Sequence, residues 1–256
     1  MADAPHAAPG DAVEIGSMTV LPAVREEIEL RTEDGLTLVG ELALPASGRI
    51  AATLVTLHPL PTHGGFMDSH VLRKAAWRLP HLADVAVLRF NTRGTSSPRG
   101  TSEGSFEEGV GEAADVRAAV DFAVARGLPH RWLVGWSFGT ELALMHGFQL
   151  DVEGAVLLSP PLHRALPEDL QRWAATGKPV KILVPEHDDF LQPAEAAQRF
   201  APLTQAELIG VPGAKHLWVG EKYVRIVLDH IVATVAPERA PLPVEVPASV
   251  VSIVSA

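Results

Sequence analysis

The stretch "RWLVGWSFGTELALM", residues 131–145, decides how the rest of the chain is read. A β-rich apolar run leads into "GWSFG", and a helical pattern follows at once. "GWSFG" fits G-x-S-x-G, in which a serine sits on a sharp turn from strand to helix. With 21 Gly and 12 Ser in 256 residues, chance alone supplies about 0.08 such matches, so context has to carry the reading. A second match, "GTSEG" (Gly100 to Gly104), lies among Pro98 and several glycines with no strand leading in, and Ser102 reads as loop chemistry. Ser137 differs. A strand that runs straight into a helix holds the hydroxyl above the sheet edge, where backbone N–H groups of the helix N-terminus point at the reacting centre. The competing reading is a capping serine between packing glycines.

On both sides of this stretch, short apolar strands alternate with helical patterns. Upstream, "REEIEL" and "LTLVGELAL" with "RTEDG" between them read as a hairpin, and "AATLVTLHP" as a strand buried on both faces. "SHVLRKAAWRLPHLA" has helical spacing that Pro80 is expected to end. "VAVLRFN" is a strand. In "GEAADVRAAVDFAVARG", Ala113, Val116, Val120 and Val124 share a helix face and Gly127 stops it. Downstream, "EGAVLLSP", "KPVKILVP" and "AELIGVPG" read as strands, each followed by a helical segment. Repeated strand–helix–strand units predict a mostly parallel, twisted sheet of about eight strands with helices on both faces. The expected division is a loose N-terminal arm over 1–20, one α/β domain over 21–236, and a Pro-rich C-terminal extension over 237–256. That extension is either partly ordered or laid along a sheet edge or a partner subunit.

Composition narrows the function classes. Hydrophobic residues make up 47% and charged residues 20%, as in a folded globular chain. A net charge of −10 with no basic run disfavours nucleic acid as partner. No cysteine is present, which removes disulfides, thiolate catalysis and cysteine metal sites. The N-terminus lacks a basic start and an apolar core, and no apolar run is long enough for a membrane span, so the expected location is the cytoplasm. His58 and His63 flank "PLPT" without metal-ligand spacing, and His187 reads as a solvated strand-end residue.

A serine nucleophile needs a base and an orienting acid. On a parallel sheet these stand at the C-terminal ends of later strands. "KPVKILVPEHDDF" ends its strand with Asp188 and Asp189, and "AELIGVPGAKHLW" ends the last strand with His216. The order Ser137, Asp188 or Asp189, His216 carries more weight than the five-residue pattern.

With these residues in order, residues 25–236 resemble the α/β-hydrolase fold family, and within it the small serine hydrolases without a cap. Members similar to this chain carry "HPxPxxGGxMxxxV" after the third strand and "RFNxRGxxxSxG" after the fourth. Here those stretches are "HPLPTHGGFMDSHV" and "RFNTRGTSSPRGTSEG", and the second absorbs the decoy "GTSEG". The resemblance implies an oxyanion hole from the N–H groups of Phe138 and Leu60, since Pro59 and Pro61 have none. Relatives read "GExDxxxxP" at the acid, which aligns Asp188 in "PEHDDFLQP" and leaves Asp189 as the alternative. The short interval "PLHRALPEDLQRWAATGK" implies no large cap domain and an open site, with Leu162, Leu166 and Trp173 expected on its rim. The implied activity is hydrolysis of a carboxylic ester, thioester or amide of a small-molecule acyl substrate, without metal or cofactor. An acyltransferase with the same residues and a non-catalytic binding protein on the same scaffold are the alternatives. Oligomeric state has no signature in the chain.

Overall fold

A computed structural model of the chain describes residues 11–253. Its centre is an eight-stranded sheet built from β1 (Val24–Arg31), β2 (Thr37–Leu44), β3 (Ala52–Leu57), β4 (Val85–Phe90), β5 (Arg131–Trp136), β6 (Gly154–Leu158), β7 (Val180–His187) and β8 (Ala206–Lys215). The spatial order is β8-β7-β6-β5-β3-β4-β2-β1. β1 and β2 form the expected antiparallel hairpin, β2 is antiparallel to β4, and the remaining pairs are parallel. β3 and β4 are buried along their whole length because helices cover both sheet faces, as their unbroken apolar runs require.

The helices are α1 (His70–Ala83), α2 (Glu112–Ala125), α3 (Phe138–His146), α4 (Pro167–Thr176), α5 (Pro193–Arg199) and α6 (Glu221–Val235). One core forms where α2, α3, α4 and α5 meet the sheet, and the other where α1 and α6 cover the opposite face. Between β6 and β7 lie only a loop and α4, so no cap domain stands there.

Two expectations change and a third gains detail. Pro80 sits inside α1 rather than ending it. Proline removes the N–H that would bond the Ala76 carbonyl, and Arg25 Nη1 donates to that oxygen instead at 3.1 Å, with Leu21 N–H bonding Trp77 O at 2.9 Å. The buried stripe of α2 runs through Glu112, Asp115, Val116, Ala119, Val120 and Ala123, while Val124 is exposed. The helix is turned because its acids face inward. Glu112 accepts the N–H groups of Glu107 and Gly109, and Asp115 accepts from Arg93. Finally, Ala12–Glu14 pairs antiparallel with Glu245–Pro247, and Thr19–Val20 with Ser252–Ile253. The described part of the C-terminal extension therefore lies against the second half of the N-terminal arm, not along the main sheet edge. Residues 1–10 of the arm and 254–256 of the extension lie outside the described residues.

Candidate active site

Ser137 stands between β5 and α3 with φ 53° and ψ −117°. This conformation is unfavourable for a residue with a side chain, and its neighbours make it the available one. A Cβ on Gly135 would lie 2.4 Å from Gly139 O, and one on Gly139 would lie 2.0 Å from Leu57 O. The chain therefore turns in the space that two missing side chains leave. Ser137 N–H donates to Leu158 O at 2.9 Å, and Ser137 O accepts the N–H and hydroxyl of Thr140 at 2.8 and 2.6 Å. The side chain makes no capping bond to α3, so the capping reading does not describe what the hydroxyl does.

It meets a histidine instead. Ser137 Oγ is 2.9 Å from His216 Nε2, and His216 Nδ1 is 2.9 Å from Asp188 Oδ2 and 3.1 Å from Oδ1. His216 follows β8 and Asp188 follows β7, so parallel strand ends converge on the elbow as the topology requires. An ionised carboxylate only accepts, so Nδ1 carries the ring proton and Nε2 faces the hydroxyl as an acceptor. Burial alone would push the Asp188 carboxyl up. Hydrogen bonds from His216 and from the N–H groups of Phe190 and Leu191 outweigh that and hold it below its ordinary value. Asp189 is exposed and makes no bond to His216 among the described residues, so the structure brings Asp188 to the imidazole and leaves the alternative acid outside. Ser102 is buried elsewhere, donating to Asn91 O at 2.8 Å and accepting Val39 N–H at 3.0 Å.

A cavity of about 500 Å³ opens over the serine. Leu60 and Phe138 both line it, and among the described residues neither N–H has a backbone or side-chain acceptor. The Leu60 carbonyl points the other way, accepting His63 and Gly65 N–H at 3.0 Å each. A Cβ on Gly65 would lie 2.0 Å from Pro59 O, which explains a glycine in "HGG". The expected rim is corrected. Trp173 is fully buried with its Nε1 donating to Ala143 O and Leu144 O, Leu162 is in the core, and Leu166 faces solvent away from the cavity. Pro161, His163, Arg164, Phe190 and Leu217 form the wall instead.

Several supporting residues escaped the sequence reading. His58 is buried, with Nδ1–H donating to Pro59 O at 2.7 Å and Nε2 accepting Thr92 N–H at 3.1 Å. It ties the loop after β3 to the loop after β4, and burial depresses its pKa to about 4, so it stays neutral. Ser159 Oγ and Trp136 Nε1 both donate to His216 O, at 3.1 and 3.2 Å, and His70 Nε2 meets Leu217 O at 2.7 Å. Glu141, one turn into α3, accepts the N–H groups of His163, Arg164 and Ala165. "HPLP" was the available signal for His58; the others have no local signature.

Solved structures match this fold over most of the chain's length. A lidless α/β serine hydrolase from Xanthomonas campestris superposes with a TM-score of 0.70 at 24% identity, covering 88% of this chain and 99% of that one. This chain has the α/β-hydrolase fold. An α/β serine hydrolase homologue from Coxiella burnetii gives 0.68 at 22% identity over 82% of this chain and 97% of that one. A Pyrococcus furiosus esterase gives 0.64 at 17% identity over 82% and 89%. At such identities the likeness establishes the α/β-hydrolase fold and not an activity. An uncharacterized protein of Rickettsia prowazekii (strain Madrid E) is 29% identical over 145 residues, 55% of this chain, and the match spans 58% of that relative's length. No family model matches. Among the described residues of this α/β-hydrolase fold, no helix is long and apolar enough to cross a membrane.

Proposed function

We propose that the chain is a serine hydrolase that cleaves a carboxylic ester, thioester or amide through an acyl-enzyme on Ser137. The observation that carries this reading is the unbroken hydrogen-bonded line from Ser137 Oγ through His216 to Asp188, at the floor of an open cavity. The esterase and serine hydrolases among the structural neighbours support it. Ser137 Oγ attacks the carbonyl carbon as His216 Nε2 takes its proton. Asp188 fixes the ring tautomer and stabilises the imidazolium. The oxyanion is held by the N–H groups of Phe138 and Leu60, and one such donor is worth roughly 10²–10³ in kcat. His216 then protonates the leaving group. Water, deprotonated by the same nitrogen, attacks the acyl-enzyme and releases the acid. The scheme needs neither metal nor cofactor. A small-molecule acyl substrate and a cytoplasmic location belong to this reading.

The test is labelling with a fluorophosphonate probe of the wild type, Ser137→Ala and Ser102→Ala. Loss of label in Ser137→Ala alone is the expected result. Equal labelling of all three proteins, or none of folded wild type, overturns the assignment.

A further inference from the structure

Among the described residues, Arg164 is the one permanently charged cation lining this cavity, its backbone N–H bound by buried Glu141 and its side chain oriented by Glu108. Its backbone N–H donates to Glu141 Oε2 at 3.1 Å, within the run of three N–H groups that this buried carboxylate collects. Glu141 lies on α3 one turn beyond Ser137, so the loop bearing Arg164 is registered to the nucleophile through a rigid helix. The guanidinium lies over the Phe138 ring, 5.3 Å from its centroid, and 6.0 Å from that of Phe106. Nε donates to Glu108 O at 3.1 Å and Nη2 to the Glu108 carboxylate. Among the described residues Nη1 has no acceptor.

A guanidinium so held loses little freedom on meeting a ligand, and its planar fork matches an oxyanion. Its counterion among the described residues, Glu108, is 70% exposed, so the pair orients the guanidinium while water leaves much of its charge open to a ligand. Against a net charge of −10 and the exposed Asp189 on the same wall, a positioned cation in the cavity that holds Ser137 is a local attraction for a negative group. We infer that Arg164 selects substrates carrying a second oxyanion, a carboxylate or phosphate, besides the bond that Ser137 cleaves. This rests on the serine hydrolase reading of the same site.

Two matched ester pairs test it. Para-nitrophenyl hydrogen adipate against the hexanoate places the charge on the acyl side. Para-carboxyphenyl butanoate against phenyl butanoate places it on the leaving group. The readout is the charged-to-neutral ratio of kcat/KM in each pair, for wild type, Arg164→Gln and Glu108→Gln. In at least one pair the ratio falls roughly tenfold in Arg164→Gln, the scale of a charged hydrogen bond, and rises in Glu108→Gln, where the competing carboxylate is gone. Ratios unchanged by both variants in both pairs overturn the inference and leave the hydrolase reading standing. Should folded wild type turn over none of these four esters, fluorophosphonate labelling decides for the hydrolase reading, and calorimetric binding of adipate to Ser137→Ala decides for Arg164. Binding that Arg164→Gln abolishes in that background supports the inference, and no binding overturns it.

Discussion

Ser137 is held at a backbone conformation that costs a residue with a side chain roughly 1–3 kcal/mol. The cost is offset locally by the N–H and hydroxyl that Thr140 donates to its carbonyl. His58 is the second residue whose environment has a measurable consequence. Its pKa falls from 6.5 to about 4 on burial, so between those values the unfolded chain binds a proton that the folded chain does not. The His58 contribution to stability is therefore complete above pH 6.5 and is lost as pH falls toward 4, by about 3 kcal/mol in all. His58→Gln cannot titrate. Urea unfolding of wild type and His58→Gln at pH 7, 6, 5 and about 4 should show the difference between them shrinking as pH drops by that amount. A constant difference would mean that His58 is not held neutral. At this scale the residues that the structure brings together, Ser137, Asp188 and His216, were legible, because each candidate stood at a strand end beside a recognisable turn. Choosing Asp188 over Asp189 took a resemblance, since alternate strand-end residues face opposite ways and the sequence does not say where the strand stops.

Among the elements, the loop after β8 is the one that carries the imidazole of His216, and it is fastened at two successive carbonyls. Ser159 and Trp136 hold His216 O, and His70 holds Leu217 O. The donors come from the ends of β5 and β6 and the start of α1, so the imidazole is referred to three separate elements. Ser159→Ala should cost about 1 kcal/mol in stability, the net worth of one hydrogen bond. Its larger effect should be on kcat/KM for an activated ester, roughly tenfold and mostly in kcat, because a shifted imidazole misaligns proton transfer while leaving the cavity wall intact. A change confined to KM would remove Ser159 from this role. Strands β3 to β8 and the helices between them were readable because apolar runs and helical periodicity report burial directly. Pro80 in α1 and the turned face of α2 were not. Each depends on a partner distant in the chain, Arg25 for the freed Ala76 carbonyl and Arg93 for Asp115.

For the whole molecule, the order β8-β7-β6-β5-β3-β4-β2-β1 brings the ends of β5, β7 and β8 to one edge, which is how residues 137, 188 and 216 meet. Strand alternation foretold that edge. The pairing of Ala12–Glu14 with Glu245–Pro247 was not foretold, since three-residue strands in Pro- and Ala-rich segments have no periodicity to detect. Among the described residues, the stretch from β6 to β7 contains a loop, tied to Glu141 through three N–H groups, and α4, with no inserted cap domain. Enzymes gated by a mobile cover wait on an opening step, and those that open at an oil–water boundary speed up abruptly when substrate aggregates. With no cap inserted between β6 and β7 among the described residues, no such step is expected here. Hydrolysis of a short-chain ester should follow simple saturation in dissolved substrate, and crossing the solubility limit or the critical micelle concentration should add no acceleration. A sigmoidal jump there would mean that a mobile segment gates the cavity.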